Sequence, residues 1–577
     1  MKNRYSFLAC LLITVIVISF RFTPENYKKD KPLVVTTWDA LGYYLYLPSI
    51  LLHHDFKELE WFPEIDKKYS VSGGYVYQAN RCKSGHFVFK YLGGVAIIES
   101  PFFLIGHIFA IILGYETNGF SPPYQFAIAF GAIIYFILAI FLLRKILLKY
   151  FNDVVTTITL TLLILASNII QYISVDGAMS HSFIFPLYVL ILYFTIKWHE
   201  KPTVILASLI GATIGLATIC RPTEAIMLFI PLLWATHSKQ SSTEKWNLVK
   251  QNKMHLCFLF ASAFIAVLPQ LIYWKLATGS FVYDVGSKWD FLNPHFRVLF
   301  GWEIGWFIYT PVSIFFIIGM FFIKKFPFKN SIITFCLLNI LIVIAWHDWR
   351  YGATYSCRAL TQSYPVFALP LAAFIDKIRW NKIYYYLFGC LGLYLISVNL
   401  FQIKQYNQGI IHYRDMNMKY YCSIYLNPHP TPLDFSLLDS NDIIRNEEGF
   451  IKKALLYSNT SSSFNIPEYS TKVLFESNIQ QKLSVDNTWL KVKLKIKLDN
   501  IEPWGCYINS ELRKGDSVKL NKVRIINPIT KLGKENDYSF YIKIPPYFYK
   551  SKFKLFISSS SKFSGELKKQ SIQYLYK

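Results

Sequence analysis

Charge is scarce in this chain: Lys, Arg, Asp and Glu make up 17% of its 577 residues, against about 25% in ordinary globular proteins. Cysteine is scattered as well. The nine (Cys10, Cys82, Cys220, Cys257, Cys336, Cys357, Cys390, Cys422 and Cys506) form no C-x-x-C pair, which leaves neither a structural zinc nor a thiol redox motif to read. There is no Gly-rich phosphate loop, no D-x-D on a soluble segment, no internal repeat and no low-complexity tract. A nucleotide-sugar enzyme is disfavoured on that ground. With 53% hydrophobic and 18% aromatic residues, a purely soluble enzyme, a disordered chain and a disulfide scaffold are set aside. What the chain has instead is long apolar runs, the composition of a membrane protein rather than of about four soluble domains at roughly 150 residues each.

The net charge of +24 does not point to nucleic acid, because the basic residues form neither a basic helix nor a stacking surface. Much of the excess flanks apolar segments, where anionic lipid headgroups and the positive-inside rule favour it.

Eleven spans are expected: 5–20, 124–143, 154–173, 179–196, 204–219, 222–235, 256–274, 304–323, 331–346, 359–375 and 383–401. The first is read as a retained signal anchor, since Arg21, Phe22 and Thr23 follow it without a small-residue cleavage pattern. A further apolar stretch, Gly93 to Leu113, holds Glu99, Pro101 and His107 and is placed in the membrane interface rather than across it. Loops bearing Arg144, Lys145 and Lys149, Lys197 and Lys201, Lys239 to Lys253, Lys324, Lys325 and Lys329, and Lys377 to Lys382 then share the cytoplasmic side. The expected fold is mainly α, a polytopic helical membrane protein with its N-terminus inside, followed by a small C-terminal β-rich domain outside. Residues 1–401 form the membrane domain, with a first outer loop at 21–123 carrying interfacial helices, and 402–577 form the β-rich domain. Within the latter, Trp489 to Leu498 alternates apolar and basic residues, the period of a half-buried strand.

Sorted by side, the unusual polar residues collect on the outer face. Asp39 heads the aromatic stretch Trp38-Asp-Ala-Leu-Gly-Tyr-Tyr44 and is equally suited to cap it. Lys90 precedes Tyr91 and two glycines, where a lone lysine also serves as a snorkelling anchor. Asp176 and His181 lie in a tight outer hairpin, which gives Asp176 a turn role too. Arg221 stands beside Glu224, a possible local pair. The densest segment runs from Trp346 to Pro365 and contains His347, Asp348, Arg358 and Gln362; an arginine fork near lipid suits a phosphate.

The early outer Asp, the Lys-Tyr-x-Gly-Gly stretch, the second outer Asp and the pattern Trp-x-x-Trp-x-x-Gly-x-x-x-x-x-Arg-x-Leu-x-x-x-x-Pro together resemble the polytopic GT-C glycosyltransferases. The likeness is to the branch of protein O-mannosyltransferases and lipid A aminoarabinose transferases, over roughly residues 5 to 400. It implies a glycosyltransferase that moves a sugar from a polyprenyl-phosphate donor to a glycan, lipid or protein acceptor, with inversion, in a bacterial inner membrane surrounded by its lipids and facing the periplasm. In that reading Asp39 is the base, Asp176 lines the same cavity, and Lys90 and Arg358 hold the donor phosphate; Arg221 is a further candidate ligand beside them. His181, His347, Asp348 and Gln362 are candidate cavity residues. No cofactor is expected, and a divalent metal stays open. The chain departs from the family pattern at Ala40, at Tyr91-Leu92 and at Ser356-Cys357-Arg358. Two other classes stay open: a polytopic transporter or flippase, and a polymerase or ligase of lipid-linked glycans.

Overall fold

The computed structural model describes residues 3–27, 33–440, 442, 444, 447, 448, 450, 452–479, 488–500 and 505–576. The chain divides into two compact units, Met1–Ile403 and Lys404–Lys577. The first is a multi-pass helical membrane unit: six of its helices are long and apolar enough to cross a bilayer, and five shorter apolar segments accompany them.

Helix α1 (Arg4–Arg21) is followed by the short helices α2 (Asp39–Tyr44), α3 (Tyr46–Leu51) and α4 (Phe62–Tyr69), then by a hairpin of β1 (Ala79–Arg81) and β2 (Phe87–Phe89). The apolar helices α5 (Gly94–Leu113), α6 (Pro122–Tyr150), α7 (Asp153–Leu165), α8 (Ser180–Glu200) and α9 (Val204–Cys220) come next. A 3₁₀ turn and α10 (Phe229–Leu233) lead into the polar α11 (Lys239–Gln251) and the long α12 (Lys253–Thr278). The short α13 (Arg297–Phe300), α14 (Trp306–Tyr309) and α15 (Ser313–Gly319) precede α16 (Lys329–Ala345), α17 (Tyr364–Ile378) and α18 (Lys382–Asn407).

Contacts between helix ends sort the unit into two rims. At one, Asp153 at the start of α7 accepts the backbone N–H groups of Tyr5 (2.9 Å) and Ser6 (3.0 Å) at the start of α1. Arg144 of α6 donates to Ser6 (2.8 Å), Lys149 pairs with Glu200, and Trp198 donates to His255 (3.2 Å). At the other, Arg21 at the end of α1 donates to the carbonyls of Ser174 (3.4 Å) and Val175 (2.8 Å). These bonds give the exposed carbonyls at the end of the α7 segment a cationic partner, as helix C-termini require.

Small residues let two helices approach closely within the bundle. A Cβ on Gly211 of α9 would fall 1.9 Å from the Leu259 carbonyl of α12, and one on Gly215 would fall 2.4 Å from that of Ala263. This Gly-x-x-x-Gly contact aligns α9 and α12 in parallel, the close packing that membrane helices use in the absence of a hydrophobic drive.

Helix α5 deserves comparison with its expectation. By length and composition it qualifies to cross a membrane, and it packs antiparallel along α6, with the Tyr135 hydroxyl donating to the Ile98 carbonyl (3.1 Å). A Cβ on Gly94 would meet the backbone of Ile219 and Cys220 at the end of α9, and Gly106 lies against Tyr124 in the first turn of α6. The polar residues that argued against lipid face protein: Glu99 is fully buried, and His107 Nδ1 lies 2.5 Å from the Tyr124 hydroxyl. Its other face exposes Leu104, Ile108 and Ile112.

Four expected spans are not continuous α-helices; one of them, 359–375, opens as a 3₁₀ turn over Arg358–Ser363 before α17. The segment 154–173 stops at Leu165 and resumes as a π turn, Gln171–Val175; 222–235 is 3₁₀ over Pro222–Leu228 before α10. The segment 304–323 is split between α14 and α15 around Thr310-Pro311. Proline explains the last two, since it removes a helix donor and clashes with the preceding turn. In the segment 154–173, the buried Asn168 side chain donates to the carbonyls of Tyr355 (3.3 Å) and Cys357 (3.4 Å), a tertiary satisfaction that periodicity does not reveal.

The second unit is β-rich. Eight strands, β3 (Lys452–Ile466), β4 (Ser470–Asn478), β5 (Thr488–Asn500), β6 (Tyr507–Lys514), β7 (Ser517–Arg524), β8 (Glu535–Ile544), β9 (Lys552–Ser559) and β10 (Phe563–Tyr576), form two antiparallel sheets. Their orders are β3-β10-β5-β8 and β4-β9-β6-β7. On β5 the alternation read from sequence is realised: Leu490, Val492, Leu494, Ile496 and Leu498 are buried in the core, while the lysines between them face outward.

Candidate active site

Asp39 opens α2, but it does not cap that helix; no side-chain cap bond is made there. The reason lies one residue earlier. Trp38 has φ 52° and ψ −124°, a strained conformation for a residue with a Cβ, and it is held by Gln78, whose amide donates to the Trp38 carbonyl (3.0 Å). Gly73, at φ +76°, gives way to the Trp38 ring, since a Cβ there would lie 2.4 Å from it. The backbone so bent turns the Asp39 carboxylate away from its own helix.

Three donors converge on that carboxylate. The hydroxyls of Tyr77 (2.7 Å) and Tyr91 (2.6 Å) donate to Oδ1, and Nη2 of Arg358 donates to Oδ2 (2.6 Å). Two residues 319 positions apart in sequence thus form one ion pair, with side chains 22% and 13% exposed. Burial alone would raise the Asp39 pKa. The Arg358 charge, followed by the hydrogen bonds from Tyr91, Tyr77 and Arg358, outweighs it and holds the carboxyl down at about 2. The Arg358 guanidinium is pulled downward by burial but raised overall by the Asp39 charge. Its Nε is buried without a partner. Gly42 on α2 admits the Tyr91 ring, which a Cβ would meet at 2.2 Å.

The other expected residues divide by distance from this pair. Lys90 is exposed, with Nζ 5.1 Å from the centre of the Tyr77 ring and 5.6 Å from that of Tyr91, so it stacks on the two phenols that hold Asp39. It also lines a recess of about 210 Å³ with Asn80, Phe89, Tyr283 and Asp284. The side chain of Arg221, at the end of α9, makes no hydrogen bond or ion pair among the described residues. The expected pair with Glu224 does not form: that carboxylate accepts from Tyr188 and from Gln362 Nε2 (3.1 Å) instead. Gln362 in turn meets His181 Nδ1 at 2.6 Å, giving a buried chain of polar groups on which the Arg221 charge also acts.

Asp176 lies at the end of the π turn, accepts from Gln171 (3.1 Å) and feels the charges of Arg358 and Arg21. Burial nevertheless raises its pKa, so it is the more proton-retentive of the two carboxylates. It makes no hydrogen bond to Asp39 among the described residues. His347 and Asp348 are not brought to the pair. Both are exposed, and the backbone there bridges Trp346 to Trp289. Tyr77 and Tyr91 are the residues that sequence reasoning missed. The only available signal was their placement in an aromatic, Gly-containing loop. Among the described residues no group of three or more His, Cys, Asp or Glu side chains is arranged to hold a metal ion.

No family model and no curated protein matches the chain. Among solved structures, the chain is similar to the archaeal oligosaccharyltransferase AglB from Archaeoglobus fulgidus, solved with an inhibitory peptide and a dolichol-phosphate. Identity is 12%, coverage 73% of this chain and 57% of that one, and the TM-score 0.43. It is similar to ArnT from Cupriavidus metallidurans at 11% identity, over 65% of this chain and 60% of that one, with a TM-score of 0.38. A shorter likeness, at 15% identity and a TM-score of 0.18, covers 24% of this chain and 37% of VP2 of infectious bursal disease virus. The chain spans less than two thirds of each of these proteins.

Proposed function

We propose that this chain is a GT-C type glycosyltransferase that moves a sugar from a polyprenyl-phosphate donor to an extracytoplasmic acceptor in the bacterial inner membrane. The observation that carries the reading is the Asp39–Arg358 pair, a carboxylate and a guanidinium meeting at one rim of a membrane bundle, while the side chains of Lys90 and Arg221 form no ion pair among the described residues. The rim bearing Arg144, Lys149 and Lys197 is the basic one, which the positive-inside rule assigns to the cytoplasm. That leaves the Asp39 rim outside.

The chemistry follows from the charges. A donor phosphate oxygen competes with Asp39 for Arg358, whose planar fork suits either anion. Once the phosphate takes the guanidinium, Asp39 keeps only its two tyrosine donors and its affinity for a proton rises. The acceptor's O–H or N–H proton passes to Asp39, the acceptor atom bonds to the anomeric carbon from the face opposite the phosphate, and the sugar–phosphate C–O bond breaks with its electron pair leaving on the phosphate. Arg358, Lys90 and Arg221 stabilise that departing charge. The anomeric centre inverts. The donor therefore unlocks the base, and a donor-free site has a carboxylate too weakly basic to act.

Tyr91→Phe removes one of the donors that hold Asp39 low. The expected result is an acid limb of kcat/KM that moves upward from about 2 toward the ordinary carboxylate range, read from transfer rates across pH. An unmoved limb would mean that Tyr91 does not bear on the base. The reading as a whole is tested by incubating purified protein in lipid with a panel of radiolabelled polyprenyl-phosphate sugars and a crude envelope acceptor fraction. Label transferred from at least one donor is the expected outcome; absence of transfer from every donor, with transport of one of them, would replace the reading with the flippase alternative.

A further inference from the structure

A second cationic cluster lies on the loop before α13 and the loop after α16. The indole of Trp349, nearly buried, meets two guanidinium groups: Arg350 lies 4.3 Å and Arg297 4.7 Å from its ring centre. Among the described residues neither guanidinium makes a hydrogen bond or an ion pair. The acids nearest in the chain are otherwise placed. Asp290 is occupied by the backbone N–H groups of Leu292 and Asn293 and by the Asn293 amide, Asp348 is exposed, and Glu303 forms no ion pair among the described residues. Nε of Arg350 is buried and unsatisfied. Two like charges against one ring, neither in an ion pair among the described residues, repel each other and favour a bound anion.

What surrounds them identifies the anion's source. Phe296 and Phe300 bracket Arg297 on one helical turn and are 58% and 59% exposed; Leu292, just before them, is 91% exposed. Apolar side chains that project beside unpaired guanidiniums form the pattern of an interfacial segment, with the side chains in the acyl region and the cations at the height of the headgroups.

We propose that Arg297, Trp349 and Arg350 form a binding site for the phosphate of an anionic phospholipid, with Leu292, Phe296 and Phe300 against its acyl chains. The same loop carries Arg350 and Arg358, so the bound lipid fixes the segment that delivers Arg358 to Asp39. The lipid site itself stands whether or not the chain is a glycosyltransferase.

The test is lipid retention by the full-length protein purified from nanodiscs of mixed phosphatidylglycerol and phosphatidylcholine, measured by native mass spectrometry. The wild type is expected to retain phosphatidylglycerol in preference, and Arg297→Gln to lower that retention about fivefold, the effect of one cation near an anionic surface. Arg297 is exposed, so its removal leaves the fold intact; Arg350→Lys, which keeps the charge but removes the stacked fork, is expected to lower retention less. Equal retention of the two lipids by the wild type would overturn the proposal. So would unchanged retention in Arg297→Gln, or a loss of retention on Arg358→Gln but not on Arg297→Gln, which would place the lipid phosphate at the Asp39 rim instead.

Discussion

Asp39→Asn is expected to lower transfer by about 10²–10⁴-fold, the range general-base catalysis supplies, while leaving donor affinity unchanged or tighter. The substitution preserves shape and an acceptor oxygen for Tyr77 and Tyr91, so the loop has little reason to move. It removes the proton acceptor and frees Arg358 from its carboxylate, leaving the guanidinium more available to a phosphate. A loss in turnover without a loss in donor binding is the signature of an interaction made in the transition state rather than in binding. Single-turnover rates beside donor-binding isotherms separate the two. If Asp39→Asn kept more than about a tenth of the wild-type rate, Asp39 would not be the base, and Asp176, whose carboxyl burial pushes upward, would be the next candidate.

Arg358→Gln should act on the other term. A hydrogen bond to a charged partner contributes about 1.5–3 kcal/mol, which corresponds to roughly 10–100-fold weaker donor binding. It also removes the largest influence lowering the Asp39 pKa, so the acid limb of the pH profile should climb further than in Tyr91→Phe. Arg358→Lys should recover only part of the affinity, because a point charge replaces a planar fork. Donor-binding isotherms for the two variants, with rates across pH, check both effects. An Arg358→Gln protein with wild-type donor affinity would remove the phosphate from this site.

The architecture was legible where it depends on pattern. Long apolar runs became helices, and the alternation around Val492 became a strand with its valine and leucines inside and lysines out. Asp39 and Arg358 were legible as candidates because charges beside apolar runs are conspicuous. Their direct contact was not, since sequence periodicity carries no information about a pairing across 319 positions. Tyr77 and Tyr91 escaped notice in a chain with 40 tyrosines, where no single one stands out. The breaks at Asn168 and Thr310 were hidden for a related reason. Asn168 is satisfied by the loop that carries Arg358, and Thr310 by Ser356 on that same loop (3.1 Å); these bonds exist only in the folded bundle. Glu99 and His107, costly against lipid but tolerable against protein, face protein in the structure.

Everything rests on one arrangement, in which an even number of crossings separates Asp39 from Arg358 and both lie outside the membrane. The most direct measurement replaces the nine native cysteines and places single cysteines at Tyr75, Ala353 and Lys239, all exposed, for labelling with a membrane-impermeant maleimide in intact spheroplasts. Positions 75 and 353 are expected to label without permeabilisation, and position 239 only after it. Labelling of 75 and 353 from opposite sides would contradict the account.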